Sequence, residues 1–217
     1  MAPRKLVSLV DQIYDHLRIA IITGELKPGQ RIVELEVAAE MGTSLAPVRE
    51  ALHRLETDGL VDRQPRIGTF VTDATIDEIQ ELFQIRALVE QFAVRRTAAT
   101  IDAEQLDLLQ SLVDQMHQAA KAGNMLRLAT LDLQFHRLIC EWSGNAHLVR
   151  AWLPLYSQMQ RFVTQTHPSR FADIEEVASL HEPIVAALRR HDRDAAAELI
   201  ERHILLSFRQ LESSKER

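Results

Sequence analysis

The apolar positions of this 217-residue chain change their rhythm once, near position 72. Before it, Val10, Ile13, Tyr14, Leu17 and Ile21 recur at helical spacing and predict a helix that stops at Gly24. Lys27-Pro28-Gly29-Gln30 reads as a turn, and Glu34 to Met41 as a short helix closed by Gly42. Thr43-Ser44 offers an N-cap to a third helix, with Pro47 in the first turn, where its missing N–H leaves no bond unmade. That helix runs to about Asp58, with Gly59 as its C-terminal cap. Leu60–Gln64 and Thr69–Val71 then read as two short strands around Pro65-Arg66-Ile67-Gly68. The pattern is three helices and a β-hairpin.

Beyond Val71 the helical period dominates. Thr75-Ile76-Asp77-Glu78 is a capping box opening a helix with Ile79, Leu82, Phe83, Val89 and Ala93 on one stripe. Asp102 caps a second helix that ends near Gly123, and a third runs from about Met125 to Trp142, stopping at Ser143-Gly144-Asn145. A fourth covers His147 to Thr166, kinked at Pro154 and ended by His167-Pro168. A fifth spans Asp173 to Arg190, and Asp192 caps a sixth that reaches about Leu211. The expected architecture is mostly α: a winged helix-turn-helix unit over residues 1–73, an all-α six-helix bundle over 74–212, and a fraying tail at 213–217.

Composition adds constraints. Seven glycines and seven prolines fall well below the usual roughly 12% together, which excludes a turn-rich all-β protein. One cysteine, Cys140, cannot close an intrachain disulfide. There is no long h-region at the N-terminus and no run of about 18 apolar residues, so the expected location is the cytoplasm, away from any membrane. Twenty-five basic against 31 acidic residues leaves a net charge of −6, which argues against a surface that grips nucleic acid throughout but permits a local DNA-reading face.

The third helix has two distinct sides. Val48, Ala51, Leu52 and Leu55 form an apolar stripe, while Ala46, Arg49, Glu50 and His53 share the opposite one, as a recognition helix requires. Arg49 suits a guanine edge or a phosphate, and Arg66 at the hairpin tip suits the backbone or minor groove. Taken alone, the stripe is better explained by an ordinary amphipathic helix with a solvated charged face. Four arginines against four acids across residues 44–71 do not decide the matter.

A longer set of residues does. Ile22-Thr23-Gly24-Glu25-Leu26-Lys27-Pro28-Gly29, Pro47-Val48-Arg49-Glu50-Ala51-Leu52, Leu55-Glu56, Gly59-Leu60-Val61 and Gly68-Thr69-Phe70-Val71 resemble the DNA-binding region of the GntR family of bacterial transcription regulators. The resemblance implies DNA contacts from Ser44, Arg49, Arg66 and Gly68. The chain departs from the family at Leu45, normally basic, and Ala46, normally threonine or similar, so the operator sequence does not carry over.

In the second half, Asp132 and His136 are i, i+4 on a face that also carries Leu128, Phe135 and Ile139. His181 shares a stripe with Val177, Ile184, Val185 and Leu188, and His203 shares one with Ala196, Leu199 and Leu206. His16, His53, His117, His147, His167 and His191 fall on surfaces, helix ends or turns. Four metal-competent side chains on inward stripes must satisfy one another or bind a cation. Arg86 also lies on an inward stripe, where it pairs with Glu90 at i, i+4 or clamps a carboxylate.

Arg86 with Glu90, Asp132-x₃-His136, Ser143-Gly144-Asn145, His181 with Ile184, and Asp192 leading to His203 resemble the FCD ligand-binding domain of the FadR subfamily of GntR regulators. The resemblance implies that Asp132, His136, His181 and His203 hold a divalent metal, zinc first with nickel or iron possible, and that Arg86 binds a small organic acid effector beside it. It implies a homodimeric repressor acting on palindromic operator DNA. The rival readings are a helical metalloenzyme and a regulator that senses metal alone.

Overall fold

The computed structural model describes residues 8–155, 158–161 and 175–212, and divides between Ala74 and Thr75 into two compact units. In the first unit, α1 (Leu9–Thr23) opens on a capping box between Ser8 and Asp11 and ends at Gly24, whose φ of 78° fits the left-handed cap. A two-residue strand β1 (Arg31–Ile32) follows, then α2 (Glu34–Glu40) and α3 (Leu45–Thr57). Strands β2 (Val61–Gln64) and β3 (Gly68–Val71) complete an antiparallel sheet in the order β1-β3-β2. Arg63 pairs with Thr69 across the hairpin and Arg31 with Phe70 on the other side.

The unit closes over one core built from Ile13, Leu17 and Ile21 of α1, Val48, Leu52 and Leu55 of α3, and Val61 and Val71 of the sheet. Arg54 ties α3 to α1, with Nη1 2.7 Å from Asp11 and the guanidinium over the Tyr14 ring. The Tyr14 hydroxyl donates to Asp58 at the end of α3.

The second unit begins with α4 (Ile76–Thr100), whose capping box is Thr75 with Glu78. Next come α5 (Ala103–Lys121), boxed by Asp102 and Gln105, and α6 (Met125–Trp142), capped by Asn124. Asn145 caps α7 (Ala146–Trp152), and a 3₁₀ turn over Leu153–Leu155 holds Pro154. The described chain resumes with helical residues 158–161, then α8 (Glu175–Ser179), α9 (Glu182–Arg189) and α10 (Arg193–Glu212). Helices α4 and α10 pack along each other, α6 lies between α4 and α5, and Phe83, Leu109, Phe135, Ile139, Trp152, Ile184 and Ile200 meet in one core. No helix among the described residues is long and apolar enough to cross a membrane.

Three expectations need correction. The winged sheet has a third strand, β1. The predicted fifth helix, Asp173 to Arg190, is two segments across its described part: Pro183 has no N–H to donate to the Ser179 carbonyl, so the chain turns at Leu180–His181 and restarts at Glu182. Ser44 stands at the N-cap of α3, but its side chain accepts no capping hydrogen bond. The fourth helix's continuation to Thr166, its stop at His167-Pro168, the Asp173 start and the 213–217 tail lie outside the described residues.

Because the two units have separate cores, damage to one should leave the other intact. Leu52 is fully buried, and Leu52→Ala should destabilise the first unit by about 2–5 kcal/mol. Amide exchange should speed up across α1 and α3 while α5 and α6 keep their protection; equal loss in both units would contradict separate cores.

Candidate functional site

The four side chains on the inward stripes of the second unit converge. Asp132 and His136 project from consecutive turns of α6, His203 from α10, and His181 from the break before α9. All four are buried, and one potential ligand atom from each lies within 4.8 Å of every other. Asp132 Oδ1 is 3.1 Å from His181 Nε2, 3.8 Å from His203 Nε2 and 3.9 Å from His136 Nε2, and the His136 and His203 Nε2 atoms are 3.0 Å apart. Metal–ligand bonds of about 2.1 Å place adjacent ligand atoms about 3.0 Å apart in an octahedron and about 3.4 Å apart in a tetrahedron. Two of the observed separations, 3.0 and 3.1 Å, are of that size, and those of 3.8 and 3.9 Å are wider.

The chemistry of the donors is equally specific. His136 donates Nδ1–H to Glu90 Oε2 at 2.5 Å, and His181 donates Nδ1–H to the Val177 carbonyl at 3.1 Å. With Nδ1 committed outward, both rings turn Nε2 inward. His181 Nε2 lies 3.1 Å from Asp132 Oδ1. Burial and the flanking His181 and His136 rings hold His203 well below the usual imidazole range, and burial lowers His136. Burial would raise Asp132, but the surrounding imidazoles and Arg86 outweigh it and keep its carboxyl well below the ordinary carboxylate range. Three converging imidazoles around an ionised carboxylate form a cluster that could hold a metal ion.

Next to it lies a buried ion pair. Arg86 Nε donates to Glu90 Oε1 at 2.8 Å, and Trp152 Nε1 donates to the same oxygen at 2.7 Å. Burial pushes the Glu90 carboxyl up, but Arg86 and His136 prevail and hold it at about 2. Arg86 Nη2 lies 4.0 Å from Asp132 Oδ2, and neither atom has a hydrogen-bond partner among the described residues. Sequence reasoning paired Glu90 with Arg86 but missed its bonds to His136 and Trp152, which lie 46 and 62 residues away.

In the first unit, Arg49, Arg66 and Gly68 line one depression together with Glu34, Arg63 and Ile67. Ser44 is exposed at the start of α3, while Leu45 is half-buried and packs against the core. That packing gives a hydrophobic residue at the start of α3 its partners. Arg49 Nε sits 2.7 Å from Glu34 Oε2 in an exposed pair, of a kind worth little in water and readily exchanged for another anion. Arg66 has a φ of 67°, following Pro65 in the turn closed by Ile67 N–H to Gln64 O. Gly68, at φ 150°, lies beneath Arg31, whose Nε would be 2.9 Å from an added Cβ. Arg31 is thus a further cation at this face, unremarked in the sequence because its strand is too short to show a pattern.

Both units match known families. Residues 9–71 match the model described as bacterial regulatory proteins, gntR family, and residues 81–206, over half of the chain, match the FCD domain. This chain belongs to the GntR family and carries a C-terminal FCD domain. It is 29% identical to the HTH-type transcriptional regulator YdhC of Bacillus subtilis (strain 168), over 91% of this chain and 86% of that one. It is 28% identical to the gluconate operon transcriptional repressor of Bacillus licheniformis, over 82% and 74%. The solved structure of McbR/YncC from E. coli superposes with a TM-score of 0.78 at 24% identity, over 95% of this chain and all of that one, and so shares the fold. The chain is accordingly a DNA-binding transcription regulator, and the family is one of regulators rather than enzymes.

Glu90→Gln keeps the shape of the hub and removes its charge. It should leave Arg86 under-compensated and lower the metal affinity of the four untouched ligands by roughly 10- to 100-fold. Competition against a chelating indicator measures this, and unchanged affinity would remove Glu90 from the site.

Proposed function

We propose that this GntR regulator is a cytoplasmic homodimeric repressor whose hold on a palindromic operator is set by a small carboxylate bound beside a divalent metal in the FCD domain. The buried, converging cluster of Asp132, His136, His181 and His203 next to Arg86 carries the reading. An imidazole-rich donor set suits zinc, with nickel and iron as alternatives. When bound, the ion would act as a Lewis acid toward an anionic oxygen.

Counting charge favours an acid as effector. With neutral imidazoles, the buried groups are the carboxylates of Glu90 and Asp132 against the guanidinium of Arg86, one net negative charge. A divalent cation turns this to one net positive charge, and a single carboxylate restores neutrality, which is what a buried site favours. Arg86, anchored through Nε by Glu90, has Nη2 left to donate to that carboxylate. Gluconate, the operon named for the Bacillus relative, belongs to this chemical class.

On the DNA side, Ser44, Arg49, Arg66 and Gly68 are the proposed contacts, with one half-site per subunit. Arg49 would exchange Glu34 for a base or phosphate. The effector alters DNA affinity only as far as it favours one arrangement of the dimer over another.

Two experiments test the halves separately. Arg49→Ala should weaken operator binding by about 1–3 kcal/mol and relax discrimination at one base pair, measured by anisotropy on an operator selected from random DNA. Wild-type affinity would dismiss Arg49 as a reader. Chelator-stripped protein should take up one divalent ion per chain and melt at higher temperature. His136→Ala should lose both effects, while Arg86→Gln should keep the ion and lose the response to acids. Failure of the wild type to take up metal would reduce the four ligands to core polar groups, and a DNA response to metal with none to acids would make the protein a metal sensor.

A further inference from the structure

Helix α4 buries one side and leaves the other bare. Arg86, Glu90, Ala93, Val94, Thr97 and Ala98 face the core, yet Ile85, Leu88 and Phe92 are 51%, 68% and 52% exposed. These three belong to a longer stripe, Glu81, Ile85, Leu88, Phe92, Arg95 and Ala99, with alternating spacings of four and three residues. That is the seam of a helix built to pack along another helix. Three large apolar side chains side by side on one exposed helix face are not a scattered surface population.

The charges at the ends of the stripe choose the partner. Glu81 and Arg95 stand seven residues on either side of Leu88. At 1.5 Å per residue they are about 21 Å apart along one helix, too far to pair within the chain. A parallel copy of α4 in register would set Glu81 against Glu81 and Arg95 against Arg95. An antiparallel copy related by a two-fold axis at Leu88 sets Glu81 against Arg95 twice, Ile85 beside Phe92 twice, and Leu88 against itself. Arg95 has a local contact, Nε 3.4 Å from Asp194 Oδ1, but Asp194 is almost fully exposed and such a pair exchanges readily. Arg96 is committed elsewhere, donating to the Ser143 carbonyl.

We infer that the outer face of α4 is a self-complementary dimer seam that receives α4 of a second copy of this chain, antiparallel and centred on Leu88. The inference rests on the homodimer reading above and adds to it the surface, the direction and the register. The contact is isologous: each half supplies to its partner what it receives.

Sedimentation of the full chain with charge reversals tests this. Wild type should be dimeric at micromolar concentration. Glu81→Arg alone and Arg95→Glu alone should each weaken the dimer roughly tenfold, since each places like charges together at two symmetric points. The double reversal should restore it, which an effect on the fold of one chain would not do. Leu88→Cys should form a disulfide-linked dimer with a mild oxidant, while buried Cys140, whose thiol burial holds undissociated, stays unreacted. A dimeric wild type with unaffected reversals and no cross-link would retain the dimer and overturn the seam. A monomeric wild type would overturn the dimer reading itself.

Discussion

Two carboxylates, a guanidinium and three imidazoles cannot be withdrawn from water into a helical bundle unless each answers another. Glu90 is where that balance is kept. Its two oxygens accept from Arg86, Trp152 and His136, so one buried side chain joins α4, α6 and α7. The Coulomb attraction of Arg86 and His136 overrides the desolvation that would otherwise protonate it. Because it stays ionised, it accepts a hydrogen bond from His136 Nδ1–H and turns Nε2 inward, and it fixes one edge of Arg86 while Nη2 has no hydrogen-bond partner among the described residues. The inward cluster it orients could hold a metal ion.

How much of this is legible in the sequence depends on the range of the interaction. The ends of α5 and α6 are plain because Asp102, Gln105, Asn124 and Gly123 act within one turn. The four ligands are visible as inward positions because each shares a stripe with Leu, Ile or Val. Their convergence is not, because it depends on how α4, α6, α9 and α10 pack. The resemblance to FCD domains supplies what periodicity cannot. The His136 and Trp152 bonds of Glu90 are also long-range, and no local pattern marks them. Pro183 is a local signal that goes unheeded, because the apolar stripe of Val177, Ile184, Val185 and Leu188 continues through the break and mimics one helix. The break matters, since it sets His181 at a helix start with its ring turned in rather than along a continuous stripe. Likewise Leu45, unexpected beside Ser44 and Arg49 in the sequence, becomes ordinary once it is seen against the first core.

The chain path confines what a signal can use. Thr72 is bound to the first unit through its N–H to the Leu60 carbonyl and its hydroxyl to Gly59. Thr75 already caps α4. Only Asp73 and Ala74 separate the wing from the helix that carries Arg86 and Glu90 on its inner face and the Leu88 stripe on its outer face. A linker of two residues is short. A shift of α4 along or about its axis changes where Arg86 stands against Asp132. Interfaces and packed cores prefer discrete arrangements to gradual deformation, so under the proposed function a displacement of α4 is the step by which an ion and an acid in the bundle would alter operator binding. Linkage makes such a coupling reciprocal: operator binding that favours one position of α4 would favour the ligand that shares that preference.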